Sequence, residues 1–213
     1  MAHNFITNAK QQNLKERIQT LIRHSQELKF LVGYFYFSGW RELYKALQTR
    51  WTNARSANPP FSIKILVGLD TDLHMGQVIE IADPEASQCN RDELVGRYFA
   101  SLRSALRDED FDTQEFYEQV SFFLELLESG SLQIRKTLDP NHAKLYLFCL
   151  DEDGRSLINA PGRFITGSSN LTRSGLTDQQ EFNVEIGDYG WEDAEEYFDD
   201  LWEQAIPLSE VPE

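Results

Sequence analysis

Between Phe30 and Phe37 the chain runs Phe-Leu-Val-Gly-Tyr-Phe-Tyr-Phe, eight residues without a charge. Aromatic and aliphatic residues of this kind favour an extended strand. A strand with one wet face alternates apolar and polar residues, whereas a continuous apolar run suits a strand covered on both faces. Such a strand needs a layer on each side, which is the α/β arrangement. The same run is the longest apolar stretch of the chain and is far too short to span a bilayer.

The flanking patterns supply the layers. Leu14, Ile18, Leu21 and Ile22 form one face of a helix over 10–25. Ser38 is placed to cap a helix over 39–50, with Trp40, Leu43, Tyr44 and Leu47 facing inward. The stretch from Arg55 to Pro60 reads as a loop, and Ser62 to Gly68 as the next strand. Residues 70–89 have no regular pattern. Helices are expected over 91–107 and 113–128, with the acidic stretch Asp108 to Asp112 between them and Gly130 ending the second. Strands follow at Leu132 to Lys136, His142 to Leu150, Arg163 to Thr166 and Phe182 to Ile186, with Asp151 to Gly154 as a turn. A helix over 191–206 sets Trp191, Ala194, Phe198, Leu201, Trp202 and Ala205 against an acidic side. The expected fold is α/β, a layered mixed β-sheet flanked by helices, in a single domain over 1–206. Residues 207–213 read as a tail or the start of a linker to a downstream domain.

Charge limits the partners. Residues 1–69 hold ten Lys and Arg against three Asp and Glu, a balance of +7, whereas residues 70–213 hold ten against 32, a balance of −22. A surface this acidic repels polyphosphates at long range, so a nucleic acid would be held by a local basic patch or by another domain. Lys64, Arg97, Arg103 and Arg107 are candidates to line a cleft, with an ordinary solvated face as the simpler reading. Cys89 and Cys149 are far apart and show no CxxC spacing, so neither a disulfide framework nor a zinc site is expected and a reducing compartment is the default. The N-terminus lacks a basic-then-apolar signal architecture. The expectation is a cytoplasmic protein with no membrane partner.

Three short segments carry the candidate chemistry. In a strand, His142 and Lys144 share a face and Ala143 turns into the sheet. Gly167-Ser168-Ser169-Asn170 follows a strand, and a glycine-led polar turn can expose backbone N–H groups as an anion-binding nest. Glu181 opens a segment in which Glu181, Asn183 and Glu185 alternate with Phe182, Val184 and Ile186. Read singly, each has a plain structural meaning: an edge strand, a polar turn capping a helix, a half-buried strand.

Together the three segments resemble the phospholipase D superfamily, and its nuclease and restriction-enzyme branch in particular. The N-terminal segments Phe5-Ile6-Thr7-Asn8, Leu31 to Gly39 and Ile65 to Leu69 look like the phospholipase D-like domain found ahead of bacterial SNF2-type helicases. The resemblance implies a metal-independent phosphodiesterase with no cofactor, with His142, Lys144, Ser168, Asn170 and Glu181 as its catalytic residues. A histidine attacks phosphorus to form a phosphohistidine, and a second histidine protonates the leaving oxygen and then activates water. Imidazole titrates near neutrality and suits each role. Lys144 offers a point charge to phosphate oxygen, and Ser168 and Asn170 donate hydrogen bonds to the developing charge. Glu181 would accept from His142 Nδ1–H, fixing the tautomer. The motif usually carries an Asp five residues after the Lys; Cys149 stands there, with Asp151 two residues on. In the family that Asp is usually structural.

The other histidines, His3, His24 and His74, have no Lys two residues on. One motif is half of a site, and a twofold homodimer would join two halves at its axis. The expected partners are therefore DNA, a second copy of this chain and a fused SNF2-type helicase domain. The alternative is a non-catalytic dimerisation or DNA-positioning domain that retains the motif. A lipid phosphodiesterase ranks last, because no basic amphipathic helix suits a membrane surface.

Overall fold

The apolar run lies in a central strand of a mixed sheet. A computed structural model describes residues 5–8, 13–54, 57–70, 113–187 and 189–209. In chain order its elements are β1 (Phe5–Ile6), α1 (Leu14–Ile22), β2 (Ser25–Tyr34), α2 (Phe37–Asn53), β3 (Ser62–Asp70), α3 (Gln114–Glu128), β4 (Leu132–Lys136), β5 (Leu145–Leu150), α4 (Glu152–Ile158), β6 (Gly162–Gly167), α5 (Arg173–Leu176), β7 (Asn183–Ile186), α6 (Trp191–Gln204) and β8 (Ile206–Pro207). Eight strands pair in the order β1-β7-β6-β5-β2-β3-β4-β8. β2, β3 and β4 run parallel, and β5, β6 and β7 add antiparallel to the other edge of β2. This is the α/β layered mixed sheet the sequence predicts. Among the described residues, no helix is long and apolar enough to cross a membrane.

The pleat divides the core in two. Leu28, Phe30 and Val32 of β2, with Tyr146 and Phe148 of β5, face a large cluster that includes the inner sides of α1, α2 and α3. Leu31, with Leu145, Leu147 and Cys149, faces the other way, toward Trp191, Phe198 and Trp202 of α6. Aromatic packing joins α2 to α3: Phe37 meets Phe116 and Phe123 edge-on at 5.9 and 5.5 Å, and Trp40 meets Phe123 at 5.1 Å. Each such pair adds about 0.5–1.5 kcal/mol beyond burial.

Several boundaries differ from expectation. β2 starts five residues before Phe30, because Lys29 is buried as an ion pair instead of ending the strand: its Nζ meets Glu195 Oε1 at 2.9 Å and Asp199 Oδ2 at 2.8 Å. α2 begins at Phe37 with Tyr36 as its N-cap and no side-chain cap; Ser38 does not cap it, and its Oγ accepts from Arg173 N at 3.3 Å. β5 begins at Leu145, so His142, Ala143 and Lys144 precede the strand. The segment 151–154 opens a helix, not a turn, because Asp151 caps it by accepting from Gly154 N at 2.7 Å. Beyond residue 206, Pro207 pairs with Arg135, Leu208 is buried and Ser209 Oγ accepts from Ile134 N at 2.9 Å. The expected helix over 91–107, most of the irregular stretch 70–89, and Arg97, Arg103 and Arg107 fall outside the described residues.

An ion pair ties α1 to the sheet. Glu185 of β7 is buried and accepts from Arg17 Nε and Nη2 at 2.5 and 2.6 Å and from Arg163 Nη1 at 3.0 Å. Burial alone would raise its pKa, but the hydrogen bond and charge of Arg17, with Arg163 in support, hold the carboxyl below its ordinary value of 4.5. A carboxyl depressed in the folded state contributes stability that is complete above that ordinary value and is lost as pH falls through the folded one. Glu185→Gln should therefore lower unfolding free energy at pH 7 by about 1.5–3 kcal/mol. Urea denaturation from neutral pH to below 4.5 should show a shallower acid loss for the variant than for the parent.

Candidate active site

The His142–Lys144 segment is held by contacts on both sides. Asn141 N donates to Gly68 O at 3.1 Å, and a Cβ at Gly68 would lie 1.8 Å from Asn141 O, so only glycine lets the two backbones approach. Asn141 Oδ1 accepts from Ala143 N at 2.8 Å, and its Nδ2 donates to Tyr197 Oη of α6 at 3.2 Å. Ala143 packs against the α6 side of the core, as its alternation with His142 and Lys144 predicts. Lys144 O accepts from Thr166 Oγ1 at 2.9 Å.

Lys144 and Asn170 come together over the end of β2. A Cβ built on Gly33 would lie 3.2 Å from Asn170 Oδ1 and 3.4 Å from Lys144 Nζ. Asn170 Oδ1 accepts from Tyr34 N at 3.1 Å, which leaves its Nδ2 without a partner among the described residues. Lys144 Nζ donates to His142 O at 2.5 Å. Burial lowers the Lys144 pKa, and the charge of Glu181 opposes that shift. A partly desolvated ammonium beside a free amide N–H pair is suited to an anionic oxygen.

Ser168 and Glu181 form the adjoining pair. Ser168 Oγ donates to Glu181 Oε2 and accepts from Phe182 N at 3.1 Å, while Ser168 N donates to Phe182 O at 3.3 Å. The turn itself is docked on Asn183, which is fully buried. Its Oδ1 accepts from Ser169 N at 3.3 Å and its Nδ2 donates to Ser169 Oγ at 2.9 Å. Tyr146 Oη donates to Ser169 O at 2.8 Å; burial, with the charge of Glu181, pushes the Tyr146 pKa up and keeps it a donor. Gly167 has no room for a side chain, since its Cβ would lie 2.4 Å from Phe182 O and 2.5 Å from Asn183 Oδ1.

Two contacts differ from expectation. The turn is not an open nest, because the N–H groups of Ser168 and Ser169 are spent on Phe182 O and Asn183 Oδ1. The donors it offers are side chains. Second, Glu181 accepts from Ser168, and the exposed His142 imidazole has no hydrogen-bond partner among the described residues. The structure therefore groups Lys144 with Asn170 and Ser168 with Glu181, and sets His142 on the loop two residues from Lys144.

Sequence reasoning missed Gly33, Tyr146 and Asn183 as supports. A glycine inside an apolar strand signals close approach of another group, and Gly33 is one. Asn183 shows only as one polar residue of an alternating strand; its burial depends on the neighbouring turn.

Cys149 is buried on the α6 side, opposite Glu27 across the β2–β5 pair, and its thiol pKa is pushed up first by burial and then by Glu27. A carboxylate there would face Lys29. That ammonium is instead held by Glu195 and Asp199 from α6, so the charge balance is kept without an Asp. Asp151 caps α4 and meets Arg50 Nη2 at 2.9 Å. Among the described residues, no group of three or more His, Cys, Asp and Glu side chains is placed to hold a metal ion.

No family model and no curated protein matches the sequence. Among solved structures, the phosphatidylserine synthase of Haemophilus influenzae Rd KW20 is similar with a TM-score of 0.55 at 17% identity, over 96% of this chain and 39% of that one. Nuc of Salmonella typhimurium, a phospholipase D family member, gives a TM-score of 0.46 at 16% identity over 91% of this chain and 89% of its own. NucT of Helicobacter pylori gives 0.45 at 10% identity over 90% and 89%. The likeness to the synthase bears on the fold alone, a mixed sheet flanked by helices.

If Asn183 holds the turn, Asn183→Leu should cost about 1–3 kcal/mol, because Ser169 N and Oγ are left buried and unpaired. Thermal unfolding should report that loss.

Proposed function

We propose that this chain is a phosphodiesterase that cleaves DNA through a phosphohistidine on His142, without a metal ion. The observation that carries this reading is the convergence of Lys144 Nζ and the amide of Asn170, whose Nδ2 has no partner among the described residues, over Gly33, with the Ser168–Glu181 pair on the same turn and the segment after it. These groups suit a phosphodiester: one point charge, one amide donor and one hydroxyl donor around the non-bridging oxygens. His142, exposed and unpaired, is free to approach phosphorus. Substrate phosphate draws the Ser168 hydroxyl away from Glu181, and the carboxylate then accepts from His142 Nδ1–H, leaving Nε2 as nucleophile. Hydrogen bonds at catalytic groups commonly tighten only when substrate is bound.

The bond from His142 Nε2 to phosphorus forms as the bond to the leaving oxygen breaks. A second imidazole gives that oxygen its proton. The same imidazole then takes a proton from water as the water oxygen attacks phosphorus and releases His142. In this reading the second imidazole is His142 of another copy, brought in across a twofold axis. The chain is acidic overall, so a fused motor domain of the SNF2 type, in the cytoplasm, would supply most of the grip on DNA. A non-catalytic positioning domain is the second reading, favoured by the absence of a hydrogen bond between Glu181 and His142.

The test uses single- and double-stranded DNA and a chromogenic phosphodiester, in EDTA. Cleavage should persist in EDTA and fall at least about a hundredfold in His142→Ala, the least expected for loss of a catalytic imidazole. A folded protein inactive on every substrate would favour the positioning reading. Cleavage that EDTA abolishes would contradict the proposed chemistry.

A further inference from the structure

Next to Glu181 in the chain, and bonded through its backbone to Ser168, Phe182 joins Phe5 in an exposed ring pair that phosphate binding does not explain. Phe5 and Phe182 are 54% and 59% exposed, with their rings 5.4 Å apart and tilted by 32°. Phe5 stands opposite Val184 across the β1–β7 pair. Phe5, Val184 and Phe182, two residues back, therefore share one face of the edge. Large aromatic rings left in water forgo a sizeable gain from burial, and Phe5 lies on β1, the strand at this end of the sheet, where stray pairing is a hazard.

Their position is tied to the site. Phe182 follows Glu181 directly, and its backbone N–H and C=O both bond to Ser168. Phe5 is anchored through its neighbours: Ile6 is buried and its carbonyl accepts from Asn183 Nδ2 at 3.5 Å, and Asn8 Nδ2 donates to Gly175 O and Gln179 O at 3.0 and 3.1 Å. The N-terminal segment Phe5 to Asn8 thus sets one ring of the pair, and the site strand sets the other.

Charge narrows what can sit there. The chain carries a net charge of −15, and among the described residues the cationic side chain in the candidate site is Lys144. Phosphate contacts give nucleic-acid affinity in proportion to the cations that make them, so this site needs a hold that does not depend on charge. A base offers one, since every base has a π-face that stacks on an aromatic ring. In a duplex those faces are covered by neighbouring pairs; in a single strand they are open.

We propose that Phe5 and Phe182 form a stacking platform for an unpaired nucleobase next to the phosphodiester held by Lys144, Ser168 and Asn170, so that the preferred substrate is single-stranded nucleic acid. This rests on the phosphodiester reading of the site. The competing occupant is a second copy of the chain, and the test separates the two.

The probe is a fluorescein-labelled oligothymidylate bound to His142→Ala protein in EDTA, read by anisotropy. It is compared with an abasic strand of equal phosphate count and with a matched duplex. The His142→Ala parent should bind the base-bearing strand more tightly than either. Adding Phe182→Ala should weaken that binding about tenfold, the worth of one stacked base, while affinity for the abasic strand stays the same. Phe182→Trp should restore it, which excludes a folding defect. The proposal is overturned by an equal loss on both strands, by a duplex bound as tightly as the single strand, or by a dimeric parent that sediments as a monomer once Phe182 is changed. A protein that shows the expected binding pattern yet hydrolyses no phosphodiester would refute the hydrolase reading and leave the platform standing. DNA cleavage with no effect of Phe182→Ala on binding would do the reverse.

Discussion

The candidate site depends on the C-terminal end of β2. This strand is buried on both faces and paired on both edges, which makes it a fixed reference. At Gly33 it leaves an open place, and Lys144 and Asn170 fill it from two different loops. At Tyr34 its N–H orients Asn170 by taking Oδ1. Past Tyr34 the chain locks onto the same turn: Phe35 bridges Leu171, Tyr36 N donates to Leu171 O at 3.1 Å, and a Cβ at Gly39 would lie 2.4 Å from that oxygen. The β2–α2 junction and the Gly167–Asn170 turn are therefore one packed unit, and a shift in either moves Asn170.

Opposite charges do comparable work on the two faces of the sheet. On one face Glu185 gathers Arg17 of α1 and Arg163 of β6. On the other, Lys29 of β2 gathers Glu195 and Asp199 of α6. Removing one member of such a cluster leaves a buried charge without its partner, which costs more than the intact pair contributes. The second cluster also accounts for Cys149. Helix α6 brings its own carboxylates to Lys29, so the neighbouring strand position can be an apolar thiol. Tyr197 of the same helix bonds Asn141, linking that clamp to the loop that carries His142.

Much of this was legible in the chain. The apolar run identified the central strand, and the spacing of Leu14, Ile18, Leu21 and Ile22 identified a helix whose four apolar residues are all buried. Alternation gave the main strands and helices, but not the short elements β1, α4, α5 and β8. What escaped was set by distant partners. The apolar run showed only the part of β2 from Phe30 on, because the carboxylates that hold Lys29 inside the strand lie some 170 residues away. Ser38 looked like a cap, but the packing of Phe37 against α3 starts the helix earlier. The motif residues were readable as a group. Their supports were not: Asn183 and Tyr146 matter through Ser169, and only the folded chain brings those three together. The pairing of Glu181 with Ser168 was equally invisible, since a sequence gives the carboxylate and both possible donors without choosing between them.

The central claim is that each working site needs His142 from two copies. Subunit mixing tests it most directly: parent and His142→Ala protein are exchanged at equal amounts and DNA cleavage is measured. If the site straddles a twofold axis, only dimers with two parent chains work, and activity should fall to about one quarter of the unmixed parent at the same total concentration. Activity at about one half, linear in the parent fraction, would show that each chain works alone and would contradict the shared site.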